Sequence, residues 1–214
     1  MTKLTRTIWF FATLILCAET VAEDPSDTRS LYQLLSPIKG LSAQFSQQIF
    51  NSDGDLFQIS SGELTATEPN KIRWIVKQPM AQQIISDGTH LWIYDPDLEQ
   101  VIIQPFVEDI AASPIGLFAG NLEELDEAYS IVYLPTENPE LKSYLLTPKS
   151  TGALYTTLRI DFIAQIPKAI EFVDSLNQTT NINLHNVLIN PPLSDDLFTF
   201  EIPSGVDVVN KNAD

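Results

Sequence analysis

Five ionisable side chains crowd one short stretch of this chain. They are Asp87, His90, Asp95, Asp97 and Glu99, within "SDGTHLWIYDPDLEQVIIQPF" at positions 86–106. A carboxylate beside an imidazole can serve as a general acid–base pair, and a group of acids with a histidine can hold a metal. The spacing supports neither. "DPDLE" lacks the glycine and the terminal glutamate of a calcium loop, and "NSDGDLFQISSGE" at 51–63 places Gly62 where that loop needs an acid. His90 and His185 are the only histidines. No G-x-S-x-G nucleophile motif and no glycine-rich phosphate loop is present. Acid pairs of the kind that cleave glycosides arise by chance among 28 acidic residues, so they carry no weight. Asp87-Gly88 and Asp95-Pro96-Asp97 are good turn formers. They read as the two ends of a strand over 91–94, and we expect no enzyme, no catalytic residue, no metal site and no cofactor.

The elements that carry these turns follow from periodicity. Asp24, Ser26 and Asp27 are N-cap candidates for a helix with Leu31, Leu34 and Leu35 on one face, ended by Pro37 and Gly40. The period then changes to two: Leu41, Ala43, Phe45 and Ile49 share a face. Asp53-Gly54 predicts a hairpin turn into a strand over 56–66. In 71–77, Ile72, Trp74 and Val76 face one way and Lys71, Arg73 and Lys77 the other. Further strands are expected at 83–86, 91–94, 101–104, 129–134, 141–147, 154–162, 169–174, 180–189 and 197–201. In 154–162 the pattern puts Leu154, Leu158, Ile160 and Phe162 on one face, Tyr155, Arg159 and Asp161 on the other. Residues 107–129 lack this alternation and read as two short helical pieces broken at Pro114. The sum is a mainly β fold with short helices. A strongly curved antiparallel sheet, an incomplete barrel, would bury its apolar face beneath a helical lid and enclose a hydrophobic cavity.

Composition narrows the partners. The chain has 214 residues, with 12 basic against 28 acidic side chains and a net charge of −16. That balance repels nucleic-acid phosphates and anionic headgroups, while a 44% hydrophobic content demands a folded core. Lys3 and Arg6, the apolar run 8–18 and the small residues up to Ala22 predict a secretory signal over 1–22, followed by one soluble domain over 23–214. The only cysteine, Cys17, lies inside that run, so the processed chain would have no thiol.

The apolar face then becomes the centre of interest: Phe45, Ile72, Trp74, Trp92, Tyr94, Phe118, Phe162 and Phe172. Either it is ordinary core or it is the wall of a site for something greasy. Strand 91–94 is apolar on both faces, and we place its aromatic pair, Trp92 and Tyr94, with the wall. At "GELTATEPNKIRW" (62–74), "SDGTHLWIYDPDLEQV" (86–101) and "SPIGLFAGN" (113–121) the chain resembles the outer-membrane lipoprotein carrier protein family. "LTPK" (146–149) and "NPPLSDDLFTFEIPSGVDVV" (190–209) follow in the expected order, and "LSAQFSQ" (41–47), ahead of them all, fits as well.

The resemblance implies a monomeric periplasmic chaperone. It would take acylated lipoproteins from an inner-membrane ABC transporter and deliver them to an outer-membrane acceptor lipoprotein. It implies an acyl-chain cavity with Ile72 and Trp74 on its concave face, Leu31 and Leu34 from the first helix, and Ile115, Leu117 and Phe118 in the lid; to its wall the alternation adds Phe45, Val76, Trp92, Tyr94 and Phe162. The family's lid latch is an arginine before the proline of an R-P-N segment, donating to lid carbonyls; here that position is Glu68, in "TEPN". A carboxylate cannot donate, so the latch is either lost or passes to Lys71 or Arg73. The alternatives to a lipoprotein carrier are a binding protein of the same fold for another lipid or amphiphile, a hydrolase using an Asp/Glu pair, and a protein-interaction domain.

Overall fold

The computed structural model describes residues 24–106, 116–119, 122, 125–150 and 153–211. The expected signal over 1–22 and the lid residue Ile115 lie outside the described residues. Helix α1, Pro25–Leu35, is started by Asp24, whose carboxylate accepts the Ser26 amide at 2.9 Å, and by Pro25 in its first turn. These are the residues helices favour there, one filling an orphan donor and the other supplying a preset φ. Leu31, Leu34 and Leu35 form its buried stripe.

Strands β1 (Gly40–Phe50), β2 (Leu56–Thr67), β3 (Lys71–Gln78), β4 (Gln82–Asp87), β5 (His90–Asp95) and β6 (Gln100–Pro105) form one antiparallel meander. A 3-10 turn at Gly116–Phe118 and the short helix α2, Leu125–Ala128, precede the second meander. That one holds β7 (Tyr129–Leu134), β8 (Leu141–Pro148), β9 (Tyr155–Ile163), β10 (Ile166–Asp174) and β11 (Thr179–Ile189). β1 pairs with β11 and so joins the halves into one twelve-stranded sheet, which is not closed: β7 lies at one edge and β12 (Asp207–Asn210) at the other.

Two expectations are corrected at the chain's end. Residues 197–201 do not form a strand; Asp195–Phe198 is a 3-10 turn packed on the outer face of β3 and β4. The twelfth strand comes later and runs parallel to β6, Val208 beside Val101. A third correction concerns β9. Tyr155 is 3% exposed and Leu154 60%, the reverse of the predicted facing. An extra residue in β9, Thr156, opposes the single step from Val173 to Asp174, and this bulge turns Tyr155 inward.

Register carries one face across the whole sheet. Ala43, Leu64, Trp74, Ile84 and Ile93 are successive cross-strand partners, as are Ile182, Ile170, Ile160 and Tyr144. This concave face and the α1 leucines form a single apolar cluster. At about 25 cal/mol per Å² of apolar surface removed from water, burial of that extent is the main force holding the fold.

Candidate functional site

The concave face brings most of the predicted cavity residues together. Leu31, Leu34, Phe45, Ile72, Trp74 and Phe162 all belong to the one buried cluster, and Val76 packs against it. Phe45 and Trp74 stack with ring centroids 3.9 Å apart. Of the lid residues, Leu117 and Phe118 are buried in the same cluster. Phe118 therefore occupies concave-face volume that an apolar ligand would need.

Trp92 and Tyr94 are not with them. The pairs Ile84–Ile93 and Ser86–Leu91 put Ile93 and Leu91 on the concave side, so Trp92 and Tyr94 point outward. Trp92 lies 5.7 Å from the His90 ring, and Tyr94 meets Phe200 at 5.5 Å. Ile85, Val101 and Phe198 are buried outside the main cluster, Ile85 and Val101 on this outer face beneath the C-terminal segment. A strand covered on both sides has no polar face, which is why 91–94 shows no alternation.

The acids of 86–99 build turns, as the sequence predicts. Asp87 accepts the amides of Thr89 and His90, both at 2.7 Å, and Gly88 takes a φ of +94°. Partial burial opposes ionisation of Asp87, but the amide bonds from His90 and Thr89, with the nearby imidazole, hold its carboxyl below the usual range. Asp95 accepts the amides of Asp97 and Leu98 at 3.0 and 3.1 Å. Among the described residues, no group of three or more His, Cys, Asp or Glu side chains is placed to bind a metal.

None of the three latch candidates is bonded to the lid in the described structure. Glu68 accepts from Lys39 at 3.1 Å on the surface. Lys71 pairs with Asp195 at 2.6 Å on the outer face. Arg73, opposite Thr65 and Ile85, is on that outer face too. The donor is instead a backbone group: the Asn70 amide bonds to the carbonyl of Ala119, just past the 3-10 turn, at 2.7 Å. Asn70 has a φ of +57°, a conformation asparagine tolerates better than most residues. Its own carbonyl accepts the buried Ser86 hydroxyl at 2.9 Å, and that oxygen accepts the Gly88 amide at 3.0 Å. A Cβ on Gly88 would meet the Pro69 carbonyl oxygen at 2.7 Å. The 68–70 and 87–88 turns thus interlock behind the lid bond.

Buried hydroxyls anchor the other wall. Tyr129 and Tyr155 share a hydrogen bond of 2.7 Å, and Ser30 on α1 bonds to Tyr144. Asp27 on α1 accepts the Tyr133 amide at 2.9 Å. Burial raises both phenols of the first pair, and for Tyr155 the neighbouring Tyr129 adds to the rise. Strict alternation along β9 puts Tyr155 on the polar face, and the bulge at Thr156 is what brings it to Tyr129.

An open, curved antiparallel sheet with one continuous apolar face, covered by short helices, is a framework for carrying apolar ligands. The chain belongs to the LolA family, described as outer membrane lipoprotein carrier protein, which matches residues 36–201. It is 33% identical to the outer-membrane lipoprotein carrier protein of Hahella chejuensis over 92% of this chain and 94% of that one. It is 32% identical to the protein of that name from Pseudomonas aeruginosa, over 98% and 100%. In fold it is similar to an uncharacterised conserved protein from Thermus thermophilus (TM-score 0.52, 13% identity, covering 85% of this chain and 99% of that one).

Proposed function

We propose that this chain is a periplasmic carrier that shelters the acyl chains of lipoproteins between two membranes. Burial of an acyl chain is worth about 0.8 kcal/mol per CH₂, so a multiply acylated protein crosses water only inside an apolar host. The observation that carries the reading is the continuous concave face with Leu117 and Phe118 packed into it. These side chains fill the space in the ligand-free state and would be displaced by acyl chains. Host and lid exchange one apolar contact for another, so the binding step needs no catalytic group. Lipoproteins would arrive from an inner-membrane ABC transporter, whose ATP hydrolysis drives extraction, and leave to an outer-membrane acceptor lipoprotein. The excess of acidic residues fits docking faces on those partners that are basic. Residues 1–22 would direct export and be removed.

The test is release of an acylated lipoprotein from inner-membrane vesicles holding the transporter. Addition of this protein with ATP is expected to move the lipoprotein into the soluble fraction as a one-to-one complex. Release of phospholipid alone, or no release, would overturn the reading.

A further inference from the structure

Ser60 is 3% exposed, and its hydroxyl is the one buried side-chain polar atom among the described residues with no hydrogen-bond partner. A buried hydroxyl without a partner is costly, and such a group calls for an explanation. Its position supplies one. Ser60 pairs directly with Gln47, Gln47 with Ile182, Ile182 with Ile170 and Ile170 with Ile160. These are all on the concave face, so an apolar row ends in two polar side chains. At this end of the row the β2–β3 ladder stops at Ser61–Gln78, and a cleft of about 420 Å³ lined by Ile59, Ser60, Ser61, Gln78 and Pro79 meets the row at Ser60 alone. The ladder kinks between Ser61 and Gly62. A Cβ at Gly62 would lie 1.8 Å from the Ile75 carbonyl oxygen, so only glycine allows the strands to approach this closely next to Ser60.

We propose that Ser60, with Gln47 beside it, is a binding site for the ester carbonyl of an acyl group whose hydrocarbon lies along Ile182, Ile170 and Ile160. The hydroxyl donates to the carbonyl oxygen, and the Gln47 amide offers a second donor. An acyl ester is the polar joint nearest the hydrocarbon in an amphiphile, and this is the place where the apolar row turns polar. The inference rests on the carrier reading for its acyl ligand and adds to it a fixed depth for the ester.

The experiment compares two probes with the full chain: 1-palmitoylglycerol and its ether analogue 1-hexadecylglycerol, which lacks the carbonyl. The wild-type protein is expected to prefer the ester by roughly 3- to 10-fold, the worth of one hydrogen bond. Ser60→Ala is expected to abolish the preference, leave ether binding unchanged and raise the melting temperature of the ligand-free protein. Ser60→Thr, which keeps a hydroxyl, is expected to retain the preference. Equal binding of both probes to the wild type, or an ester preference that survives Ser60→Ala, overturns this site and leaves the carrier reading intact. No binding of either probe overturns both. Repeating the comparison with a dipalmitoylglyceryl-cysteine peptide and with a diacyl phosphatidylcholine tells which ester is read: loss of affinity on Ser60→Ala for either supports the site, and loss for neither overturns it.

Discussion

Ser86 holds two turns together with one oxygen, donating to Asn70 and accepting from Gly88, and Asn70 in turn holds the carbonyl of Ala119. Ser86→Ala leaves a part-buried carbonyl and a part-buried amide without this partner, so it is expected to cost roughly 1–2 kcal/mol in urea unfolding. It should also speed hydrogen exchange at the Asn70 amide, which reports loss of its bond to Ala119. Glu68→Ala breaks only a surface ion pair and is expected to change stability by less than about 1 kcal/mol, with exchange at Asn70 unaltered. The tyrosine pair makes a prediction in pH. Burial disfavours ionisation of Tyr155 and Tyr129, so the folded state keeps their protons at pH values where the unfolded chain has lost them. Stability should thus be unaffected by these groups below the ordinary phenol value of 10.0 and fall as pH rises above it. The double variant Tyr129→Phe with Tyr155→Phe is expected to flatten that alkaline loss in urea titrations. At this scale the sequence speaks clearly where side chains alternate, as at Ile72, Trp74 and Val76. It does not reveal Asn70, because a backbone amide leaves no mark on residue identity. Nor does it reveal Ser60, since Ser60 and Ser61 are the same residue on opposite faces.

Helix α1 is the element whose removal the concave face would feel most directly. Leu31 is fully buried in the shared cluster, so Leu31→Ala is expected to cost about 2–5 kcal/mol by differential scanning calorimetry or denaturant. The same variant should bind a fluorescent fatty acid more readily, because one plug has been trimmed from the space the ligand takes. The helix was legible from its cap residues and leucine spacing, and the two meanders from alternation and Asp-Gly turns. The failures share a cause: they depend on what lies beside an element rather than within it. The bulge lies in β9, with Thr156 the extra residue between Tyr155 and Thr157, and only the pairing with β10 reveals it. Trp92 and Tyr94 could be assigned a side only through the register of β4. Residues 197–201 alternate well enough for a strand, yet no strand edge is available to them there, and the available edge at β6 is taken by the four residues of β12.

The sheet ends at β7 on one side and at β12 on the other, where β12 covers β6. Val208 and Val209 lie against Val101 and Ile102, and the Asp207 and Lys211 amides donate to Glu99 and Ile103, both at 2.8 Å. Removing residues 206–214 would present the apolar β6 as an open template for pairing. The truncated protein is expected to form dimers or larger species in size-exclusion chromatography, while the full chain stays monomeric. The joint in the middle of the sheet has a different consequence, one of timing. β2 is the hairpin neighbour of β1, but β1's other partner is β11, Leu41 against Ile189, about two thirds of the chain away. Two local meanders can form early, yet the seam between them cannot close until the last long strand has been delivered. Such distant pairing is slow to form. A newly made chain would therefore remain unfinished until nearly all of it is present, a delay that would suit the export we propose for it.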